Sequence, residues 1–224
     1  MKFNARTIQI LRNFSSIHQA LLFKPGKTLK VMSDTRSVLA KATIETDIEG
    51  TFAIYDVPKF LNAISMFDEP VLTHNNTYVE IRQGNEKINY LYAEPSLIRT
   101  PPEKDITLPT VDVQFELKNE TINRVLKGMA IVGADALCIT GEDGKIYLEG
   151  MSLKATKGQG VNGTTYRAEV GVTDKKFNFV FSADNVKLLA GDYDVSISQK
   201  GFAHFKGSDI EYWIAVEATS TYDG

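Results

Sequence analysis

The chain has 224 residues, 43% hydrophobic and 24% charged, with a formal charge of −3, which suits one large folded domain or two of about 110 residues and excludes a disordered chain. No apolar run approaches the roughly 18 residues that a membrane-spanning helix needs, and Met1-Lys2-Phe3-Asn4 lacks the apolar block of a signal peptide, so a cytoplasmic protein is expected. The single cysteine, Cys138, cannot close an internal disulfide, and its apolar setting predicts a buried small residue.

In chain order, Ala5–Ile17 is predicted helical, because Ile8, Ile10, Leu11, Phe14 and Ile17 recur at helical spacing behind Asn4, a residue suited to the N-cap. A shorter helix is predicted over Val57–Met66 behind Asp56. Tyr78–Arg82 alternates with period two, as a strand does. Glu94–Pro109 holds four of the seven prolines, which deny a strand its ladder bonds and favour an extended connector. A third helix is predicted over Lys118–Met129, on Ile122, Val125, Leu126 and Met129, and a fourth over Ala183–Ala190 behind Ser182. Tyr193–Ile197 again alternates.

The second half repeats the signals of the first in the same order. Thr7-Ile8 with Leu11-Arg12 matches Thr121-Ile122 with Leu126-Lys127; Gly26-Lys27 and Met32-Ser33 match Gly144-Lys145 and Met151-Ser152. Phe52–Tyr55 and Phe179–Phe181 each lead into a short predicted helix, and Ile88–Ala93 matches Ile210–Ala215. The expected organisation is an N-terminal domain at 1–94, a connector at 95–110 and a similar domain at 111–224. Each is an α+β unit with two helices on one side of an antiparallel sheet.

Positive charge collects on the helices. Arg6, Gln9, Arg12, Asn13 and Ser16 fall opposite the apolar stripe of the first helix with no acid among them, and Asn123, Arg124 and Lys127 group likewise on the third, beside Glu120. With Lys59, Lys118 and Lys187, the helices outweigh their three acids, Asp56, Glu120 and Asp184, while the rest of the chain is acidic. Such a protein can meet phosphates on one surface and stay soluble elsewhere, its amide tips touching backbone without reading bases. A solvated helix face is the plainer explanation of each helix alone.

Tandem two-helix units joined by an extended connector, with basic helix faces, resemble the sliding-clamp family. Phe52-Ala-Ile-Tyr-Asp56, Phe177-Asn-Phe179 and Ala215-Val-Glu-Ala-Thr-Ser-Thr221 are similar to its T-even phage branch. The resemblance implies a clamp fold with sheets outside and helices inside, closed as a homotrimeric ring by head-to-tail pairing of edge strands. It implies double-stranded DNA, a replicative DNA polymerase and an ATP-driven clamp loader as partners, with no cofactor, metal or catalytic residue, and it leaves room for late transcription. The expected DNA-facing residues are Arg6, Gln9, Arg12, Asn13, Lys59, Asn123, Arg124, Lys127 and Lys187. Partner contacts are expected at Val38, Leu39, Leu97, Ile98, Val216, Glu217, Ala218 and Thr219.

Other signals carry little. Gly158-Gln-Gly160-Val-Asn-Gly163 spells a dinucleotide motif, but residues 164–170 alternate like a strand and offer no helix N-terminus to a pyrophosphate. His18, His74 and His204 belong to no metal or triad pattern, and the sequons at Asn13, Asn75, Asn119 and Asn162 have no consequence without secretion. The rival readings are an enzyme with its site between the halves, and a phage structural protein building rings or tubes. The first finds no convergent nucleophile and base; the second predicts neutral or acidic helix faces.

Overall fold

The structure, a computed structural model, describes residues 1–156, 158 and 165–224. Two compact units divide it at Lys104 and Asp105. Unit 1 runs α1 (Ala5–Ile17), β1 (Leu21–Phe23), β2 (Gly26–Met32), β3 (Val38–Ile48), β4 (Phe52–Ile54), α2 (Val57–Ile64), β5 (Val71–His74), β6 (Tyr78–Gln83) and β7 (Glu86–Leu91).

Both helices of unit 1 begin on a local acceptor. The Asn4 side chain accepts from the Thr7 amide at 2.8 Å and that of Asp56 from the Lys59 amide at 2.8 Å, each satisfying an orphan donor of the first turn. Ile10, Leu11 and Phe14 of α1 and Val57, Phe60 and Leu61 of α2 are buried; α1 packs against α2 and β3. Between strands, Phe23 stacks on Phe52 at 4.6 Å, and Phe60 meets Phe23 edge-on. Each such side chain withdraws enough apolar surface to contribute roughly 1.5–3 kcal/mol.

Strands β5, β6 and β7 form an antiparallel sheet in that order, so β7 is an edge. The β6–β7 hairpin turns through Gly84, whose φ of 59° suits a two-residue loop. The Tyr92 amide donates to Thr77 at 3.0 Å, beyond the paired residues Tyr78 and Leu91. Ladder bonds alternate along an antiparallel strand, so the amides of Ile88 and Tyr90 face β6, while those of Lys87, Asn89 and Leu91 face outward.

Unit 2 runs β8 (Val113–Leu117), α3 (Asn119–Val132), β9 (Ala136–Glu142), β10 (Lys145–Met151), α4 (Leu153–Thr156), β11 (Tyr166–Val172), β12 (Phe177–Ser182), β13 (Tyr193–Ser198), β14 (Phe202–Lys206), β15 (Ile210–Ala215) and β16 (Thr221–Tyr222). One antiparallel sheet has the order β11-β10-β9-β12-β16; β8, β13, β14 and β15 pair in that order. Phe179, Phe181, Tyr193, Phe205 and Tyr212 fill the interior. Cys138 is buried beside Ala136 and Val180, and that burial pushes its thiol up to about 12, leaving it neutral and unreactive.

The predicted fourth helix is absent. Ala183–Asn185 forms a single 3₁₀ turn, and Ser182 makes no side-chain cap. The next residues find tertiary partners for their backbone instead of an i→i−4 ladder. The Leu189 amide donates to the Tyr212 hydroxyl at 3.0 Å, the Gly191 amide to Asn119 Oδ1 at 3.0 Å, and the Leu189 carbonyl accepts from the Tyr193 hydroxyl. The other boundaries move slightly: α2 ends at Ile64 instead of Met66, and α3 runs three residues beyond Met129. Apart from Gly158, the glycine motif at 158–163 and the sequon at Asn162 lie outside the described residues.

Candidate nucleic-acid interface and partner cavity

Burial of Thr7, Ile10, Leu11 and Phe14 fixes which side of α1 reaches water. Gln9, Arg12 and Ser16 are exposed there, with Arg6 and Asn13 half-buried between them. Arg6 reaches Gln9 Oε1 at 3.5 Å. Among the described residues Arg12 has no ion-pair partner, so its guanidinium remains available to an outside anion.

Helix α3 is oriented by close approach. A Cβ at Gly128 would stand 2.4 Å from the Tyr166 ring, and one at Gly150 would stand 2.4 Å from Met129 Cγ; the missing side chains let α3 settle on β10 and β11. With Ile122, Val125 and Met129 buried, Asn123, Arg124 and Lys127 are exposed together. Arg124 pairs with Glu120 at 3.2 Å one turn away. Both side chains are well exposed, so the pair contributes only about 0.3–0.5 kcal/mol and a phosphate can replace it. Lys127 has no ion-pair partner among the described residues.

Lys59 is exposed on α2. Lys187 is half-buried in the irregular segment after β12, so the helical-face argument no longer applies to it.

The expected partner residues are dispersed. Val38 and Leu39 are buried in β3, and Ile98 is buried against Ala20 and Ala53, so none can take a partner's side chain without unpacking unit 1. Leu97, in a 3₁₀ turn, is 69% exposed. Val216, Glu217, Ala218 and Thr219 belong to a tail woven into unit 2: the Glu217 amide donates to Val180 at 2.7 Å, and the Val180 amide donates to Ser220 Oγ at 2.9 Å before β16 pairs with β12. Of these four, only Ala218 is exposed; the others are half-buried. Deleting the chain after Val216 is therefore expected to lower the melting temperature by roughly 5 °C or more, measurable by calorimetry. An unchanged melting temperature would mean that the tail adds no stability.

A cavity of about 200 Å³ lies in unit 1, where neither periodicity nor spacing pointed. Leu22, Pro25 and Val31 face Pro101 and Pro102 across it, and Lys24, Lys30, Arg99 and Glu103 also line it. Arg99 holds the second wall in place by donating to the Asp34 carbonyl at 2.6 Å. The one available signal was Pro101-Pro102, a stiff apolar pair set among charged residues.

Among the described residues no His, Cys, Asp and Glu groups gather to hold a metal ion, and no helix is long and apolar enough to cross a membrane.

Units of this build define a DNA-clamp fold. The chain superposes on PCNA from Thermococcus kodakaraensis with a TM-score of 0.69, covering 97% of this chain and 99% of that one, at 14% identity. Residues 114–218 match the family described as gp45 sliding clamp, C terminal. The sliding clamp of Vibrio phage KVP40 is 32% identical over 97% of this chain and all of its own length. That of Escherichia phage RB69 is 31% identical over the full length of both. The chain belongs to the sliding-clamp family.

Proposed function

We infer that the protein is a sliding clamp that tethers a replicative DNA polymerase to duplex DNA. The observation that carries this, beside family membership, is the pair of helix faces on which Arg12 and Lys127 stand exposed, with no ion-pair partner among the described residues. Such cations meet phosphates through mobile, water-separated contacts, which retain a sliding protein without fixing it to any base pair. On this reading Arg6, Gln9, Arg12, Asn13, Lys59, Asn123, Arg124 and Lys127 face the DNA, and Lys187 joins them only as a loop residue.

Sliding clamps are scaffolds, and this one is read as performing no catalysis itself. Three copies close a ring, and the edges of β7 and β11 suit head-to-tail pairing, which leaves neither of those two edges unpaired when the ring closes. Persistence then comes from topology, since a threaded ring holds the polymerase at high effective concentration beside the primer end. An ATP-driven loader places the ring, and the cytoplasm of the host cell is its setting. A role in late transcription would use the same ring.

Primer extension under single-hit conditions tests the reading. Adding the protein with a clamp loader is expected to lengthen the products of the cognate polymerase at least tenfold, and native mass spectrometry is expected to find three times the 24.9 kDa protomer. Unchanged product length with a confirmed trimer would reject the tether.

A further inference from the structure

The segment that stands where a fourth helix was expected is held at its start, its centre and its end. The Ala183 amide donates to the Asp135 carbonyl at 2.9 Å, both backbone groups of Leu189 are taken by the hydroxyls of Tyr212 and Tyr193, and the Gly191 amide ends on Asn119. The two tyrosines are buried and meet edge to face with ring centroids 6.0 Å apart. Gly207 leaves room for one of them, since a Cβ there would stand 3.1 Å from Tyr193 Cε1. Neither hydroxyl reaches water, so releasing Leu189 would strand two buried polar groups. The segment is therefore a rigid loop, where exposed connections are ordinarily mobile. It is also joined to α3. Asn119 Oδ1 accepts from the Gly191 amide and from Asn123 Nδ2, each at 3.0 Å, and the Asn119 amide donates to Asp192 Oδ1 at 2.8 Å. Asn123 stands exposed with Arg124 and Lys127, so hydrogen bonds run from the cationic side of α3 into the loop.

We propose that Tyr193, Tyr212 and Asn119 are positioning residues for DNA: they hold residues 186–191 as a fixed loop beside the cationic side of α3, and from it Lys187 meets a phosphate without a helix to carry it. The proposal rests on the clamp reading and deepens it by naming the residues that set one of its contacts. Lys187 is the one cation of residues 183–192. Of the two acids there, Asp192 is engaged by the Asn119 amide and by Lys118 at 3.4 Å, which leaves Asp184 at the far end of the loop. Rigidity decides whether such a lysine contributes. On a mobile loop, backbone and side chain would both lose freedom at every phosphate encounter, whereas on a fixed loop only the side chain does. The tyrosine hydroxyls thus act on DNA through Lys187 and touch no phosphate themselves.

The test loads the full-length protein onto primed circular DNA and follows the fraction bound as salt is raised. Lys187→Ala is expected to flatten the slope of log affinity against log salt by about 0.9 per protomer, the share of one phosphate contact. The pair Tyr193→Phe and Tyr212→Phe, which removes only the hydroxyls, should flatten it by roughly half that or more and quicken hydrogen exchange across residues 186–191 about tenfold or more. Adding Lys187→Ala to the pair should flatten the slope no further than Lys187→Ala does alone, because the two changes remove the same contact. Tyr212→Phe by itself, expected to act in the same direction, serves if the pair does not fold. A slope indifferent to Lys187→Ala overturns the contact. A lowered melting temperature with the parent's slope overturns the positioning role and leaves the hydroxyls purely structural, and unchanged exchange overturns the hold on the loop. A parent that neither stays on DNA nor lengthens polymerase products is not a clamp, and the inference falls with it. A parent that lengthens products while ignoring Lys187 keeps the clamp reading and loses this inference alone.

Discussion

Replacing Arg6, Arg12, Arg124 and Lys127 together with alanine is expected to leave the fold standing and to strip the protein of most of its hold on DNA. Three of the four are exposed, Arg6 is half-buried, and all four lie on helices where alanine is at least as good a helix former. The melting temperature should stay within about 2 °C of the parent. Retention should respond strongly to salt in the parent and weakly in the variant, because each phosphate contact adds about 0.9 to the slope of log affinity against log salt. Losing four contacts would flatten that slope by roughly 3 to 4 per protomer. The parent and variant are loaded onto primed DNA, and the fraction bound is followed as salt is raised. Identical curves would remove these helices from the DNA-facing surface.

The second large effect is expected from Asn89→Pro. The Asn89 amide faces away from β6, so proline removes no bond of the hairpin, and an edge strand tolerates its fixed φ. The same amide is one that a neighbouring copy's strand would use in a head-to-tail ring. Native mass should therefore fall from the trimer to the 24.9 kDa protomer, with a circular dichroism spectrum and melting profile of a folded chain. Product lengthening by the polymerase should disappear with the ring. Asn89→Ala, which keeps the amide, should behave as the parent. Persistence of the trimer in Asn89→Pro would place the interface away from β7.

Features of the fold that could be read in advance depend on neighbours close in sequence. Asn4 and Asp56 cap their helices through amides three residues on, and the exposed side of α1 follows from the period of its apolar residues. Residues 183–190 carry similar local signals, but Tyr212 and Asn119, distant in sequence, take up their backbone groups and the helix does not form. Val38 and Leu39 stand among the expected partner contacts, yet the packing of unit 1 buries both. The cavity has only the Pro101-Pro102 pair as a local signal for the same reason: its walls come from the segments around Leu22 and Pro101, which meet only once the chain has folded.

The pairing of β8 with β13 has a consequence for the newborn chain. Leu117 lies opposite Tyr193, 76 residues further on. At about 5–20 residues per second, β8 waits on the ribosome roughly 4–15 s for its partner, with its ladder groups unpaired. Unit 1 can complete its own hairpins during that interval, while the start of unit 2 stays open to wrong pairing with another nascent chain. Slowing translation through residues 118–192 should therefore lower the soluble yield of this protein, whereas the same pause placed before residue 105 should leave it unchanged.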